Sequence, residues 1–288
     1  MRLARRARRA RFLLGLSLVA APAGAGEYHT GATNNCSDCH TMHNSENGQP
    51  MRYDNDKNGA PKLLRAANSL QLCLQCHDGQ ATAPDVVDED ANQTPDRAAG
   101  FFPRNWWQPP PAGSNPTAHL MGTQVDAPWG GQTTLTCVSC HDPHGTASYR
   151  NLKLDPRGIG APRLVVSHQI VPLSGNIAQF YDSSNVRYKS GMTSWCVNCH
   201  VGTDQTNHHP VDTTIYNSPN GWASYSAWVG VTLPRVPVQS PNDDIIPSQD
   251  DQVFCLSCHK AHGSANPFGL IYPDGATQDS ACSQCHVQ

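Results

Sequence analysis

The stretch CSDCHTMH, Cys36 to His43, contains the motif that decides the fold of this 288-residue chain. Its core, Cys-x-x-Cys-His, occurs six times and uses all twelve cysteines of the sequence. The copies are Cys36/Cys39/His40, Cys73/Cys76/His77, Cys137/Cys140/His141, Cys196/Cys199/His200, Cys255/Cys258/His259 and Cys282/Cys285/His286.

The spacing within the motif has a chemical reason. Two cysteines three residues apart on one helical turn present both sulfurs to the same side, where they can form thioethers with the two vinyl groups of one haem. The histidine that follows lies on the same face, and its imidazole reaches the iron as the proximal ligand. The sequence therefore predicts six covalently attached haems c, with the twelve cysteines as anchors and the six motif histidines as proximal ligands.

Two other uses of paired cysteines fit less well. Structural zinc commonly takes two Cys-x-x-Cys knuckles per ion and does not require a histidine after each one. Disulfides are disfavoured because cysteines three residues apart rarely bridge and no cysteine is left for other pairings. Haem attachment is the interpretation that explains both the cysteines and the histidines.

The first 25 residues have the composition of a secretory signal peptide. Six arginines precede the short apolar run FLLGLSLVA, and Ala23-Gly24-Ala25 offers a cleavage site. The apolar run is too short to span a bilayer, so we expect an exported protein without a membrane span. Residues 26–288 are expected to form a single hexahaem electron-transfer unit.

Composition limits both the partners and the fold class. Without the signal peptide, 14 basic residues remain against 23 acidic ones, a formal net charge of −9 instead of −3, which argues against nucleic acid as a partner. The mean hydropathy is −0.50, and glycine and proline contribute 23 residues each, a poor basis for a layered core. We therefore expect a multihaem cytochrome c fold of coil and turns, with little β structure, a short helix at each motif, and a continuous chain of six haems as its scaffold.

Local patterns add some detail. Pro61 to His77 has apolar residues at helical spacing and predicts a helix leading into the second motif. Short β-rich pieces at Leu164 to Val166 and Trp228 to Leu233 predict hairpins. The acidic run in residues 84–100 lacks the glycine and glutamate of a calcium loop and indicates a solvated turn. The aromatic, proline-rich segment Phe101 to Gly113 is interpreted as cover over a haem face, with a partner-binding strip as the alternative.

The histidines outside the motifs decide between electron transfer and catalysis. A haem with a protein ligand on both sides transfers electrons, whereas catalysis usually needs an open position. Eight candidates for six distal positions permit every iron to be bis-histidine and favour an electron wire. They are His29, His43, His119, His144, His168, His208, His209 and His262.

Three of these candidates follow a motif by three residues: His43, His144 and His262. Each is tethered beside the proximal face of its own haem and is badly placed to reach the distal face. If such a histidine ligates iron, the iron belongs to a neighbouring haem, which forces two haems into contact. The alternative is a histidine bonded to a propionate or the backbone.

The remaining candidates differ in context. His119 and the His208-His209 pair are the sole histidine sources in their loops, although Met121 could replace His119. His29 is either a ligand or part of a frayed end. His168 is more easily interpreted as structural.

The motifs and their order carry a family resemblance. CSDCHTMHNS, LCLQCH, CVSCHDPHG, GMTSWCVNCH, HHPV, CLSCHKAHG and the terminal CSQCH resemble the extracellular hexahaem cytochromes of the OmcS type, which polymerise into nanowires. The resemblance implies six bis-histidine haems in a continuous chain. It also implies that His43 binds the iron held by Cys255, Cys258 and His259 of an adjacent copy. The other distal positions that match are His29, His119, His144, His209 and His262, whereas His168 has no counterpart.

The sequence thus predicts a secreted, extracellular or cell-surface electron-transfer protein, not an enzyme, that polymerises head to tail into a filament. The expected partners are other copies of the chain and redox proteins or extracellular acceptors. A non-polymerising periplasmic or outer-membrane-associated shuttle is the principal alternative. A multihaem oxyanion reductase is the second, and it is disfavoured because no motif ends in lysine instead of histidine.

Overall fold

The structure is a computed structural model that describes residue 29 and residues 34–80, 83–88, 99–103, 105, 107–160, 163–170, 186–203, 210–215, 237–242 and 250–271. Several predictions fall outside these residues. They concern the signal peptide 1–25, His208, His209, the hairpin at Trp228 to Leu233 and the sixth motif with Cys282, Cys285 and His286. The backbone of His168 lies in a strand, and its side chain is outside the described part of the chain.

Short helices mark the motifs. The described α-helices are α1 (Cys36–Cys39), α2 (Ser69–His77), α3 (Cys137–Cys140), α4 (Met192–Val197) and α5 (Cys255–Cys258). Three of them are single turns that stop at the motif histidine, whose N–H bonds to the carbonyl of the first cysteine at 2.9–3.1 Å. The residue before each of these turns donates its N–H to the side chain of Asp38, Ser139 or Ser257, which fixes the start of the helix.

Strands are equally short and pair only two at a time. The antiparallel pairs are β1 (Ser45–Glu46) with β2 (Gln49–Pro50), β5 (Gln124–Asp126) with β6 (Gln132–Thr134), β7 (Ser167–Ile170) with β8 (Val186–Ser190), and β9 (Thr213–Thr214) with β10 (Gln252–Val253). The strands β3 (Val87–Asp88) and β4 (Phe102–Pro103) run parallel. The predicted multihaem fold, mostly coil with short helices and little sheet, is confirmed.

Among the residues that the structure describes, one structural unit occurs three times. Behind the first, third and fifth motifs lies a 3-10 turn, Pro61–Leu63, Tyr149–Asn151 or Pro267–Gly269, whose central residue has a φ of 56–58°. The residue after each turn forms an isolated bridge with the motif histidine: His40 with Leu64, His141 with Leu152 and His259 with Leu270. We call residues 36–65, 137–153 and 255–271 the first, third and fifth modules.

The apolar core is small and lies between modules. Its main cluster includes Val166, Val238 and Phe254, each no more than 1% exposed, with Leu256 of the fifth module beside them. A second cluster joins Val87, Phe102 and Met121, with Leu70 and Leu74 of α2 packed against it. Met121, an alternative to His119 as an iron ligand, lies in this apolar cluster and is 5% exposed.

Two local predictions are wrong in part. The helix expected over Pro61 to His77 begins only at Ser69, because Lys62 and Leu63 have left-handed φ angles of 58°. The side chain of Asn68 then accepts a hydrogen bond from the Gln71 N–H and caps the new helix. The strand expected at Leu164 to Val166 starts three residues later, at Ser167, and Val166 is buried in the main cluster. Within the described residues, no helix is long and apolar enough to cross a bilayer.

Gly263 offers a test of how tightly the fifth module is packed. Its φ is +145°, and a Cβ there would lie 2.4 Å from the Cβ of Ala118, so alanine needs both strained backbone and displaced neighbours. We expect Gly263→Ala to lower the free energy of unfolding by about 1–3 kcal/mol more than Gly130→Ala does. Gly130 also has a positive φ, +94°, but nothing lies within 4 Å of its Cβ position. Denaturant unfolding of the two haem-loaded variants measures this difference, and equal decreases in their free energies of unfolding would contradict the packing argument.

Candidate haem-binding site

Four motif histidines are oriented through one ring nitrogen. The Nδ1 atoms of His40, His77, His141 and His259 lie 2.8–3.0 Å from backbone carbonyl oxygens, those of Lys62, Pro84, Arg150 and Phe268. A carbonyl can only accept, so Nδ1 carries the proton and Nε2 keeps its lone pair. Metal-ligating histidines are held in this way, with the second nitrogen donating to a backbone oxygen.

The carbonyl acceptors were not found from the sequence. In the three modules, the acceptor is the central residue of the 3-10 turn, where the left-handed φ turns the peptide oxygen toward the imidazole. Lysine, arginine and phenylalanine occupy these positions, and none of them signals a positive φ. The turn therefore carries no residue type that sequence reasoning could have used.

Four motif histidines face a second imidazole. The ring centroids are 5.9–6.2 Å apart in each pair, and the interplanar angles range from 11° to 64°. The pairs are His40 with His144, His77 with His29, His141 with His262, and His200 with His119.

The distance between the ring centroids fits two imidazoles bound to one metal. A metal bound to an imidazole nitrogen at about 2.0 Å on each side, with the radius of each ring added, separates the two centroids by about 6 Å. Two rings in direct contact would lie closer together. The four pairs therefore fit an iron atom held between two histidines, and the residues present fit c-type haem.

The histidines that follow a motif do not face their own motif histidine. His144 belongs to the third module and faces His40 of the first, and His262 belongs to the fifth and faces His141 of the third. In both cases a later module presents its histidine to the preceding module, the third to the first and the fifth to the third. This arrangement brings the sites of successive modules together.

The other two facing imidazoles are oriented by the same modules. Nδ1 of His29 lies 3.3 Å from the Pro143 carbonyl oxygen, and Nδ1 of His119 lies 2.5 Å from that of Ala261. Pro143 and Ala261 immediately precede His144 and His262. One short segment thus presents an imidazole to one site and orients the imidazole of another.

His262 is enclosed most completely. Its N–H bonds to the Ala99 carbonyl at 2.6 Å, and the Phe102 ring stacks on its imidazole at 4.6 Å between centroids. Burial lowers the pKa of His262 to about 3, so the ring is neutral and its lone pair is available to a metal. Burial also lowers the pKa of His141, the ring that it faces.

Cysteines of successive motifs meet in pairs. The thiols of Cys73 and Cys137 lie close enough to interact, as do those of Cys196 and Cys255. The interaction with Cys137 and burial raise the pKa of the Cys73 thiol, and burial raises that of Cys140 to about 11. The ten described cysteines form no disulfides with one another. The second motif therefore adjoins the third, and the fourth adjoins the fifth.

Exposure differs among the predicted haem anchors. The sequence treats the cysteines as equivalent, but Cys36 and Cys76 are exposed, whereas the other eight described cysteines are partly buried. Cys76 follows Leu74 by two positions, which is about 200° around the helix, so it lies away from the apolar cluster that Leu74 joins. Cys36 and Cys76 stay predicted anchors, because an exposed thiol is accessible to a reaction partner.

Two predicted ligands stand apart from the facing pairs. His43 and His259 are both exposed, and neither faces a histidine in the part of the chain that the structure describes. His259 is nevertheless oriented like the other motif histidines, with its Nδ1 bonded to the Phe268 carbonyl. His259 thus has the orientation of a proximal ligand, but no imidazole among the described residues faces it.

Comparison with known proteins agrees with the chemistry of the site. A family model described as a doubled CXXCH motif matches residues 247–288. The C-type cytochrome OmcS of Geobacter sulfurreducens is 24% identical, over 88% of this chain and 83% of the relative.

One solved structure shares the fold. The outer membrane cytochrome S filament from Geobacter sulfurreducens has a TM-score of 0.53 and 21% identity, covering 88% of this chain and 86% of the other. A second structure, of OmcS nanowires from the same organism, has a TM-score of 0.48. The resemblance predicted from the motifs is confirmed: the chain carries the doubled CXXCH motif, shares the fold of the cytochrome S filament subunit, and is similar to OmcS over most of its length.

Proposed function

We propose that this protein is a secreted hexahaem cytochrome whose copies join head to tail into a filament for long-range extracellular electron transfer. Haem c supplies reversible one-electron chemistry at iron. The chain anchors each haem through two cysteines, orients the proximal imidazole, and provides a second imidazole opposite to it. The similarity to OmcS supports the extracellular role.

The facing pairs support a ligand assignment for four haems. We assign His144 to the iron of His40, His29 to that of His77, His262 to that of His141, and His119 to that of His200, on the basis of the centroid spacings of 5.9–6.2 Å. His209 is assigned as a distal ligand through the family resemblance alone. All six sites would then be closed to substrate, which favours electron transfer over reduction of an oxyanion.

The filament proposal rests on the order in which modules present a histidine to the motif histidine of another module. The third module presents His144 to the first, and the fifth presents His262 to the third. Continuing this order requires a module beyond the fifth, whose histidine would face His259. The first module of another copy has the same motif and turn, and its His43 is exposed. We therefore assign His43 to the iron of His259 in an adjacent copy.

Such a contact joins two different surfaces of identical subunits. A heterologous contact leaves one unused surface at each end, and it produces an open filament when its rotation does not close a ring. The exposed His259 and the exposed His43 would lie on those two surfaces. The signal-like segment at residues 1–25 supports export to the place where the filament would work.

Replacing His43 tests this proposal. His43→Ala removes the proposed ligand between subunits, so we expect purified protein to remain as single particles under conditions in which the unaltered protein forms fibres. Negative-stain electron microscopy and sedimentation check this outcome. Fibres of normal length and abundance in the variant would contradict the assignment of His43 as the ligand between subunits, and single particles of the unaltered protein at all concentrations would contradict the filament itself.

His262→Ala is the matched variant inside the subunit. It should leave an iron without its second imidazole in both the free subunit and the filament, because His262 faces His141 of the same chain. We expect the EPR spectrum of the unassembled variant to show one more high-spin haem than the unaltered free subunit, whose fifth iron already lacks the His43 of an adjacent copy; His43→Ala should add no such signal. A high-spin signal equal to that of the unaltered free subunit would contradict the assignment of the third haem.

Withholding haem tests whether the cofactor is needed for the fold. The described core is small, and the thiols of Cys73 and Cys140 lie buried in the folded chain with raised pKa values, where they would react slowly. We expect chain produced without haem attachment to be unfolded. Its thiols should then react with an alkylating reagent at the rate of free cysteine, and its circular dichroism should indicate coil. Protected thiols in haem-free protein would contradict this expectation.

A further inference from the structure

The first module differs from the other two by an insertion. Twenty-three residues separate His40 from its bridge partner Leu64, whereas ten separate His141 from Leu152 and His259 from Leu270. The additional residues follow the segment Thr41 to Asn44, which we call the docking loop because it contains His43. They form the β1–β2 hairpin and the turn that continues to Asn58.

A buried arginine organises the insertion. The Arg52 side chain is only 6% exposed, and its guanidinium bonds both carboxylate oxygens of Asp54. Its Nη1 also donates to Asp56 Oδ2 and to the Asn58 carbonyl oxygen, each at 3.1 Å. Bidentate arginine–carboxylate pairs are strong and geometrically specific. Arg52 thereby fixes the backbone of residues 54–58.

That backbone in turn holds the docking loop. The Asn44 side chain is buried, and its Nδ2 donates to the carbonyl oxygens of Asp56 at 3.0 Å and Asn58 at 2.8 Å. The Asn44 N–H bonds to Thr41 Oγ1, and its carbonyl accepts the Met51 N–H. Asn44 has a φ of 47°, and the corresponding positions in the other modules are glycines with positive φ, Gly145 and Gly263. His43 thus lies between two residues whose conformations are fixed, while its own side chain is exposed.

The corresponding loop of the fifth module is held differently. Segments from elsewhere in the chain clamp it: Gly263 bridges Gly100 and Ala118, and the His262 N–H bonds to the Ala99 carbonyl. The docking loop makes its hydrogen bonds with residues 51–63 of its own module instead. In the proposed filament, the clamping segments for this loop would belong to the adjacent copy and would be absent before assembly.

We propose that the insertion is an internal brace, in which Arg52 and Asn44 are positioning residues that hold His43 ready to bind the adjacent copy. This inference rests on the proposed filament function. A loop that is already ordered loses less conformational entropy on docking, so the brace lowers the cost of adding each subunit. The fifth module needs no such insertion, because its loop is ordered by the fold of its own chain.

Asn44→Gly tests the brace. Glycine keeps the positive φ found at Gly145 and Gly263 but removes both side-chain hydrogen bonds. We expect the critical concentration for filament assembly to rise about tenfold or more, while haem content and the EPR spectrum of the free subunit stay unchanged. Hydrogen exchange at residues 41–44 should accelerate in the free subunit and remain normal at residues 260–263. Asn47→Gly is the matched control, because Asn47 also has a positive φ of 51° but is exposed at the hairpin.

A second variant covers the case in which Asn44→Gly misfolds. Arg52→Lys keeps the positive charge and loses the bidentate pair, so it should also raise the critical concentration. Assembly of both variants at the normal critical concentration, together with failure of His43→Ala to assemble, would overturn the brace and leave the filament proposal intact. Normal assembly of His43→Ala would overturn the His43 contact between subunits, and the brace with it, whereas failure of the unaltered protein to assemble would overturn the filament proposal itself.

Discussion

The rest of this structure depends on one constraint: two imidazoles face each other with their ring centroids about 6 Å apart. In four described pairs, the partners come from separate parts of the chain, so each pair closes a long loop. Backbone carbonyls hold five of these eight rings by Nδ1, which leaves Nε2 free to bind a metal. The one-turn helices, 3-10 turns with left-handed φ angles and two-stranded ribbons mostly serve to position these carbonyls and rings.

This constraint explains how so little secondary structure can give a defined fold. A layered protein orders its chain by packing the faces of long helices or sheets. Here the described helices and strands are short, and the apolar clusters around Phe254 and Phe102 join modules without forming layers. We propose that covalent anchoring and paired histidines take over the ordering, so that folding and cofactor attachment become one process.

The sequence could predict what depends on residue type, and it did so for the Cys-x-x-Cys-His motifs, the multihaem fold and the coil-rich character of the chain. It also predicted that His144 and His262 do not face their own motif histidines, since three residues cannot reach around a haem. It could not predict the left-handed turns at Lys62, Arg150 and Phe268, because none of these residue types favours a positive φ. The helix over Pro61 to His77 failed for the same reason, since Lys62 and Leu63 follow the geometry of the module instead of their helical spacing.

The repeated modules also suggest why assembly and folding resemble each other in this protein. Within the chain, a later module presents its histidine to an earlier one, and we propose that the same contact is repeated between copies.

A cryo-EM map of the native, haem-loaded protein tests this account most directly, because the axial ligands of each iron can be read from the density. The account predicts irons between His40 and His144, His77 and His29, His141 and His262, and His200 and His119, with His43 of an adjacent copy opposite His259. Different partners for these irons, or a ligand from the same copy opposite His259, would contradict it.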